Sequence, residues 1–188
     1  MELIGTVVGL QVQRSRLKPG SVPNRIYDPA PLLAVGELEI EPRGCRGLTA
    51  DGPVLDVHHA DHPATRNVKL GNGLSVMTRP RYEALRASYG SQLADGLAGE
   101  SVLLDTEDGG LTGPLLLESD TGLMRLTGTP APPCVEFSRF VTGRGPTDTG
   151  PEVLAALAAL NGGARGFYLT TSDRGCIRLG HRLFRAAG

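Results

Sequence analysis

The chain opens on a nearly continuous apolar run. Residues 3–12 read LIGTVVGLQV, rich in β-branched side chains, and predict a strand. A loop with Gly and Pro follows at 14–20 and carries Arg14, Arg16 and Lys18. A second punctuated connection covers 27–33. Glu37 to Ile40 alternates polar and apolar, the period of a half-buried strand. Residues 41–73 are polar and dotted with glycine, and they read as one long irregular segment. Segments of that length in a compact domain are usually functional or disordered. Leu74 to Met77 predicts a short strand, with Thr78 as the N-cap of a helix and Pro80 in its first turn. Tyr82, Leu85 and Tyr89 share one face of that helix, and Gly90 stops it. Strands are predicted over 101–105, 114–118, 122–127 and 134–140. A Gly/Pro/Thr-rich loop spans 142–151. A helix over 152–160 follows, with Val153, Leu157 and Leu160 on one stripe and Gly162 and Gly163 as its stop. The end reads as a hairpin, 166–171 and 176–184 around a turn at 172–175. With no internal repeat and no interdomain linker, this pattern predicts a single domain over 1–188. It is mostly β, an antiparallel barrel with a few covering helices.

Composition supports that class. Gly (26) and Pro (14) are too frequent in 188 residues for a mostly helical chain. A 40% hydrophobic and 21% charged content argues against disorder. The formal charge of −1 argues against general nucleic-acid or anionic-membrane binding. Aromatics make up only 4% with no Trp, so ligand recognition is expected to rest on polar and charged loop contacts. The N-terminus lacks a basic and apolar leader, and no apolar run approaches the roughly 20 residues of a span. Cys45, Cys134 and Cys176 are odd in number and widely spaced, which fits reduced thiols rather than a disulfide framework. A cytoplasmic protein acting on a small-molecule substrate or cofactor is expected.

Two segments carry candidate chemistry. The first runs from Asp56 through His58, His59, Asp61 and His62 to Arg66. Imidazole and carboxylate ligate zinc or iron, and imidazole exchanges protons near neutral pH. The same residues can instead hold a loop in shape. They can also line an oxyanion or cofactor site, with Arg66 as a bidentate fork. The second segment is the proline lead-in 130–133 to Cys134. Prolines stiffen that approach and fix the place of a thiol, a nucleophile and soft-metal ligand. Cysteine is also a small core hydrophobe, the reading kept for Cys45 and Cys176. Gly99-Glu100-Ser101 alone reads as turn chemistry. Dinucleotide, P-loop and nucleophile-elbow motifs are absent.

Taken in order, these segments resemble the MOSC domain, named after the C-terminal part of molybdenum cofactor sulfurases. The resemblance spans residues 3–184. Gly5 to Leu10 resembles the family's first strand. Asp56 to His59 with Arg66 resembles its Gly-Asp-Arg-His stretch and following arginine. Leu74 to Met77 with Tyr82 to Leu85 is similar to its strand–helix step. Ala98 to Val102 resembles its Gly-Glu-Asn-hydrophobic motif, with Ser101 for Asn. Pro133-Cys134 resembles its Pro-Cys, and Gly175 to His181 its closing hairpin, with His181 for Asp.

The resemblance implies a β-barrel that binds molybdenum cofactor or handles its sulfur. In the reductase branch the cysteine ligates molybdenum and N-hydroxylated substrates are reduced. That role would fall to Cys134, with a separate electron donor. In the sulfurase branch a pyridoxal-phosphate partner domain mobilises sulfur, and Cys134 would carry a persulfide. Arg66, Arg16 and Lys18 would hold the cofactor phosphate. Asp56 and His62 would assist, and His58 and His59 would donate protons. A zinc-dependent hydrolase built on Asp56, His58, His59 and His62 is a further alternative.

Overall fold

The computed structural model describes residues 1–64, 71, 73–107 and 110–186. Arg66 lies outside the described residues. The strands are β1 (Glu2–Gln13), β2 (Leu32–Ala34), β3 (Glu37–Glu41), β4 (Gly44–Thr49), β5 (Gly52–Leu55), β6 (Leu74–Thr78), β7 (Val102–Thr106), β8 (Gly113–Ser119), β9 (Gly122–Pro130), β10 (Phe167–Thr170), β11 (Gly175–Arg178) and β12 (Arg182–Arg185). The helices are α1 (Arg79–Tyr89), α2 (Val135–Val141) and α3 (Pro151–Ala159).

Seven strands close into a barrel in the order β12-β8-β9-β10-β6-β7-β1, sealed where β1 pairs with β12. Strand β2 extends it beside the end of β1. A second sheet, β11-β3-β4-β5, packs alongside. The fold is mostly β, as the pattern predicts. It is mixed rather than purely antiparallel, because β6 and β7 run parallel. Helix α1 is the connection that parallel pairing requires, since a tight hairpin joins only antiparallel strands. One core fills the barrel and its contact with the second sheet, through residues such as Val7, Leu38, Leu115 and Ile177. A second core lies under the helices and the 14–31 loop, with Leu17, Tyr27, Tyr82 and Phe137.

Most predicted elements are present, and three readings are corrected. Residues 41–73 are not one irregular segment, because they contain β4 and β5. Glycine conceals β4. A Cβ at Gly47 would meet the Val35 side chain at 2.6 Å, so the strand accepts no larger residue there.

Residues 134–140 form a helix, not a strand. Cys134, Phe137, Ser138 and Val141 are buried at helical spacing. Cys134 has extended backbone and caps α2, its Sγ accepting from the Phe137 N–H at 3.5 Å.

The closing hairpin does not form as one unit. Strand β10 pairs with β6 and β9, β11 joins the second sheet, and β12 returns to the barrel. Side chains near the expected turn capture other edges. The Asp173 carboxylate accepts from Arg125 N at 2.7 Å, and Asp120 accepts from Cys176 N at 2.7 Å.

Close backbone approach makes one glycine decisive. A Cβ at Gly128 would lie 1.8 Å from the Leu111 carbonyl oxygen. Gly128→Ala should destabilise the fold by about 1–3 kcal/mol in urea unfolding, the usual range for forced overpacking. Gly145→Ala, where a Cβ meets nothing within 4 Å, should change little.

Candidate functional site

A cavity of about 310 Å³ lies at the end of the barrel where β1 and β5 finish. Three segments build its wall. The first is the 14–31 loop between β1 and β2. Leu17 and Tyr27 bury their side chains in the second core and anchor this loop. Within it, Asp28 N donates to Leu17 O at 2.8 Å. The Tyr27 ring meets Phe137 at 5.0 Å and Phe140 at 5.2 Å between centroids. Held this way, the loop presents Arg16, Lys18 and Arg25 to the cavity.

The second segment is 96–100, after α1. Gly99 has φ +80°, and a Cβ there would strike Leu17 Cδ1 at 2.5 Å. Tyr27 Oη donates to Leu97 O at 2.9 Å. Tyr82 of α1 accepts from Ala98 N at 2.9 Å and donates to Glu100 Oε2 at 2.8 Å. These bonds place Glu100 in the cavity wall at 3% exposure. Burial pushes its carboxyl up to about 7, against the lowering effect of bonds such as that from Tyr82.

The third segment is the turn from α3 into β10. Ala131 N donates to Gly166 O at 2.9 Å, and Arg165, Phe167 and Tyr168 face the cavity. Arg165 Cζ also lies 5.6 Å from the Phe137 ring centroid. Burial works against the Arg165 charge. The neighbouring Cys134, Tyr27 and Tyr168 outweigh it and push its pKa up.

The wall therefore carries Arg16, Lys18, Arg25 and Arg165 against one carboxyl, Glu100. Three of its polar atoms are buried without a hydrogen-bond partner: Arg25 Nε, Arg165 Nε and Glu100 Oε1. Unsatisfied buried donors are costly, so two such guanidinium groups at one cavity mark a place for an acceptor-rich ligand.

The sequence-predicted residues divide around this cavity. Arg16, Lys18 and His58 line it. Asp56, 1% exposed, sits behind and accepts from Gln13 N and His58 N, each at 2.8 Å, and from His58 Nδ1 at 3.0 Å. His59 and His62 serve the loop. His59 Nε2 donates to Glu41 at 2.9 Å while its Nδ1 accepts from Asp61 N at 3.1 Å. His62 Nε2 donates to Arg14 O at 3.2 Å and its Nδ1 accepts from Ala64 N at 3.2 Å. The three rings thus engage separate partners. Among the described residues no group of three His, Cys, Asp or Glu side chains converges to hold a metal ion.

Cys134 is 7% exposed and is outside the cavity wall, next to Arg165. Its thiol donates to Glu136 Oε2 at 3.2 Å. Burial opposes the charge on Glu136. Its own N–H, the Cys134 thiol, Lys18 and Arg25 outweigh that effect and keep its pKa below the ordinary carboxylate value. Glu136 in turn lies 3.7 Å from Arg25.

Sequence reasoning missed Arg25, Arg165 and the chemical setting of Glu100. It also expected few ring contacts to a ligand, yet Tyr27, Phe167 and Tyr168 line this one cavity. The available signal for Arg165 was its place between Gly163 and Gly166, just before a strand. No helix among the described residues is long and apolar enough to cross a membrane.

Glu100 makes stability depend on pH. Its carboxyl is held at about 7 in the fold, above the 4.5 of an ordinary glutamate. The folded protein therefore binds more protons between these values, and its contribution to stability is lost as pH rises through that window. Glu100→Gln should gain on the wild type by about 3 kcal/mol between pH 4 and pH 8 in urea unfolding. A difference independent of pH would show that the carboxyl titrates normally.

The sequence matches no family model and no curated protein. Solved structures do match its fold. The YuaD protein of Bacillus subtilis aligns over 96% of this chain and 94% of its own, at TM-score 0.62 and 13% identity. YiiM of Escherichia coli aligns over 83% of this chain and 65% of its own, at 0.55 and 16%. YiiM of Geobacillus stearothermophilus aligns over 99% and 75%, at 0.52 and 13%. YiiM is a MOSC-domain protein, and the shared architecture makes this fold MOSC-like.

Proposed function

We propose that this chain is a MOSC-type protein that binds molybdenum cofactor and reduces N-hydroxylated substrates. The observation that carries the reading is the pair of buried Nε atoms, on Arg25 and Arg165, that lack acceptors at one electropositive cavity. The cofactor's phosphate offers several oxygens to such groups, and guanidinium forks bind them bidentately. Arg25 and Arg165 would hold that phosphate, with Arg16 and Lys18 adding charge at the entrance. Tyr27, Phe167 and Tyr168 offer ring surface to a flat pterin. When bound, the cofactor supplies oxygen-atom transfer. Cys134, beside Arg165, is the soft ligand this reading assigns to the metal.

The protein's own groups handle protons and water. The Asp56 carboxylate fixes the His58 ring with the proton on Nδ1. His58, in the cavity wall, is the residue this reading assigns to proton donation. Leu17, Val57 and Ala131 line the cavity with apolar surface that limits water around the charged groups.

A second reading rests on the thiol. Cys134 faces Glu136 rather than the main cavity, and Glu136 lines a separate cavity of about 190 Å³ with Arg25 and Arg139. That arrangement favours a sulfur carrier: the Cys134 thiolate would attack the outer sulfur of a donor protein's cysteine persulfide, that cysteine would leave as thiolate, and an acceptor thiolate would take the same sulfur from Cys134 in turn.

Elemental analysis combined with fluorescence of released, oxidised pterin tests the first reading. Protein from a molybdenum-replete host should contain both molybdenum and pterin. Arg165→Gln should lower pterin content about tenfold or more, the usual cost of losing a charged hydrogen bond. Cys134→Ala should keep the pterin and lose the metal. Wild-type protein containing neither would overturn this reading. The mass of one added sulfur atom on Cys134, with no turnover of N-hydroxylated bases, would establish the second.

A further inference from the structure

We infer that the cavity binds its anion together with a proton, and that Glu100 Oε1 is the atom that carries this proton. The inference rests on the reading of the cavity as an anion site and names the group that regulates it.

The hydrogen-bond pattern assigns the atom. Tyr82 Oη accepts from Ala98 N at 2.9 Å, so its single proton points to Glu100 Oε2 at 2.8 Å. Oε2 is therefore an acceptor. A proton on Glu100 resides on Oε1, which is buried and has no partner. Protonated, Oε1 is a donor in the wall of a cavity that already offers the orphan donors of Arg25 and Arg165. Ionised, the same carboxyl sets a negative charge in the wall against an anion, in a buried setting where little water screens it. The two states of one carboxyl thus differ in sign toward the ligand.

The surroundings leave this group poised. Tyr82 faces it from α1, Tyr27 from the 14–31 loop, and Asp95 from the segment after α1. Burial raises its pKa most; its own N–H, the Tyr82 hydroxyl and the Gly96 N–H lower it, Asp95 raises it a little, and the balance lies at about 7. Arg16, Lys18, Arg25, Arg165 and His58 share the cavity wall. Glu100 also lines a second cavity, of about 260 Å³, with Arg79 and Asp95. Glu100 thus contributes to the walls of two cavities.

Linkage sets the direction of the effect. A bound anion favours the protonated carboxyl, so binding takes up a proton wherever free Glu100 is ionised. Affinity should then fall as pH rises above about 7.

Sulfate is the probe, because it does not titrate in this range. Calorimetry of wild-type protein should show sulfate affinity falling about tenfold or more from pH 6.5 to 8.5. At pH 8, heats in buffers of different ionisation enthalpy should report uptake of about one proton per sulfate. Glu100→Gln should bind sulfate at pH 8.5 as wild type does at pH 6.5, with that proton uptake gone. His58→Gln, run in parallel, separates the contribution of the histidine. Tyr82→Phe removes the bond that lowers the Glu100 pKa, and should shift the pH midpoint of sulfate binding upward whether or not the glutamine variant folds. Sulfate binding with the same pH course in wild type, Glu100→Gln and Tyr82→Phe overturns the role of Glu100 and leaves the anion site standing. No sulfate binding by wild type at any pH overturns the anion site and this inference with it.

Discussion

The site depends on how one strand closes the barrel. Strand β1 pairs with β12 at its start, β7 along its middle and β2 at its end. Its register slips between Leu3 and Gly5 against β12, and between Val7 and Gly9 against β7. Such slips bend a strand and increase its twist, which a closed barrel requires. Of the two β1 glycines, Gly5 makes the closer approach, since a Cβ there would lie 2.4 Å from Asp105 O. The far end of β1 then fixes the cavity rim. Gln13 N donates to Asp56, Val57 N donates to Gln13 O at 2.7 Å, and the Gln13 side-chain amide donates to Gly99 O. The histidine loop and the Glu100 segment are thus tied to the last residue of the strand that seals the fold.

The near-neutral charge of the chain conceals a local excess. On the second sheet and the nearby barrel surface, arginines meet acids. Arg46 pairs with Glu39, Arg178 with Glu37 and Arg182 with Glu118. Such exposed pairs contribute little stability. At the cavity the pattern reverses. Among the described residues Arg16, Lys18 and Arg165 form no ion pair, and the single carboxyl in the wall is itself neutralised by burial at lower pH. Burying unpaired cations is expensive. Arg165 is held against Phe137 and beside Cys134, with Tyr27 and Tyr168 as its polar neighbours and, among the described residues, no carboxylate of its own.

How legible this was in the sequence follows from what each element uses as its signal. Strands β1, β3, β6, β7, β8 and β9, and helices α1 and α3, show in the chain because hydrophobic pattern, first-turn prolines and glycine stops agree, although the Thr78 hydroxyl at the N-cap position makes no capping bond. Helix α2 did not, because seven residues are too few to separate alternation from helical spacing over 134–140. Its prolines also sit before the cap, where they read as extended chain. Strand β4 was hidden by glycines that are demanded by packing against Val35 and His59. The site was half legible. The basic 14–20 loop and the histidine-rich stretch with His58 each stand out by local composition, although about forty residues separate them. Arg165 and Glu100 come from segments far apart in the chain, and only closure of the barrel brings them to one wall. Glu100 read as turn chemistry because its special property is burial, which no short motif displays.

Cys134 completes the argument by what its local role does not require. As an N-cap it is a poor choice, since oxygen side chains lead that position and its Sγ accepts from Phe137 N at a long 3.5 Å. As a core residue it fills little space beside Tyr27 and Phe137. A serine would serve the cap and an alanine the packing. What neither could supply is a sulfur between a charged carboxylate, Glu136, and a buried guanidinium, Arg165. Each of those two groups opens onto a different cavity. The cations of the wall are carried by the 14–31 loop and the turn into β10, whereas the thiol sits at the N-cap of α2. The two sets of groups rest on separate elements that meet at Arg165, so replacing the thiol leaves the cationic wall built, while replacing Arg165 alters the surroundings of both.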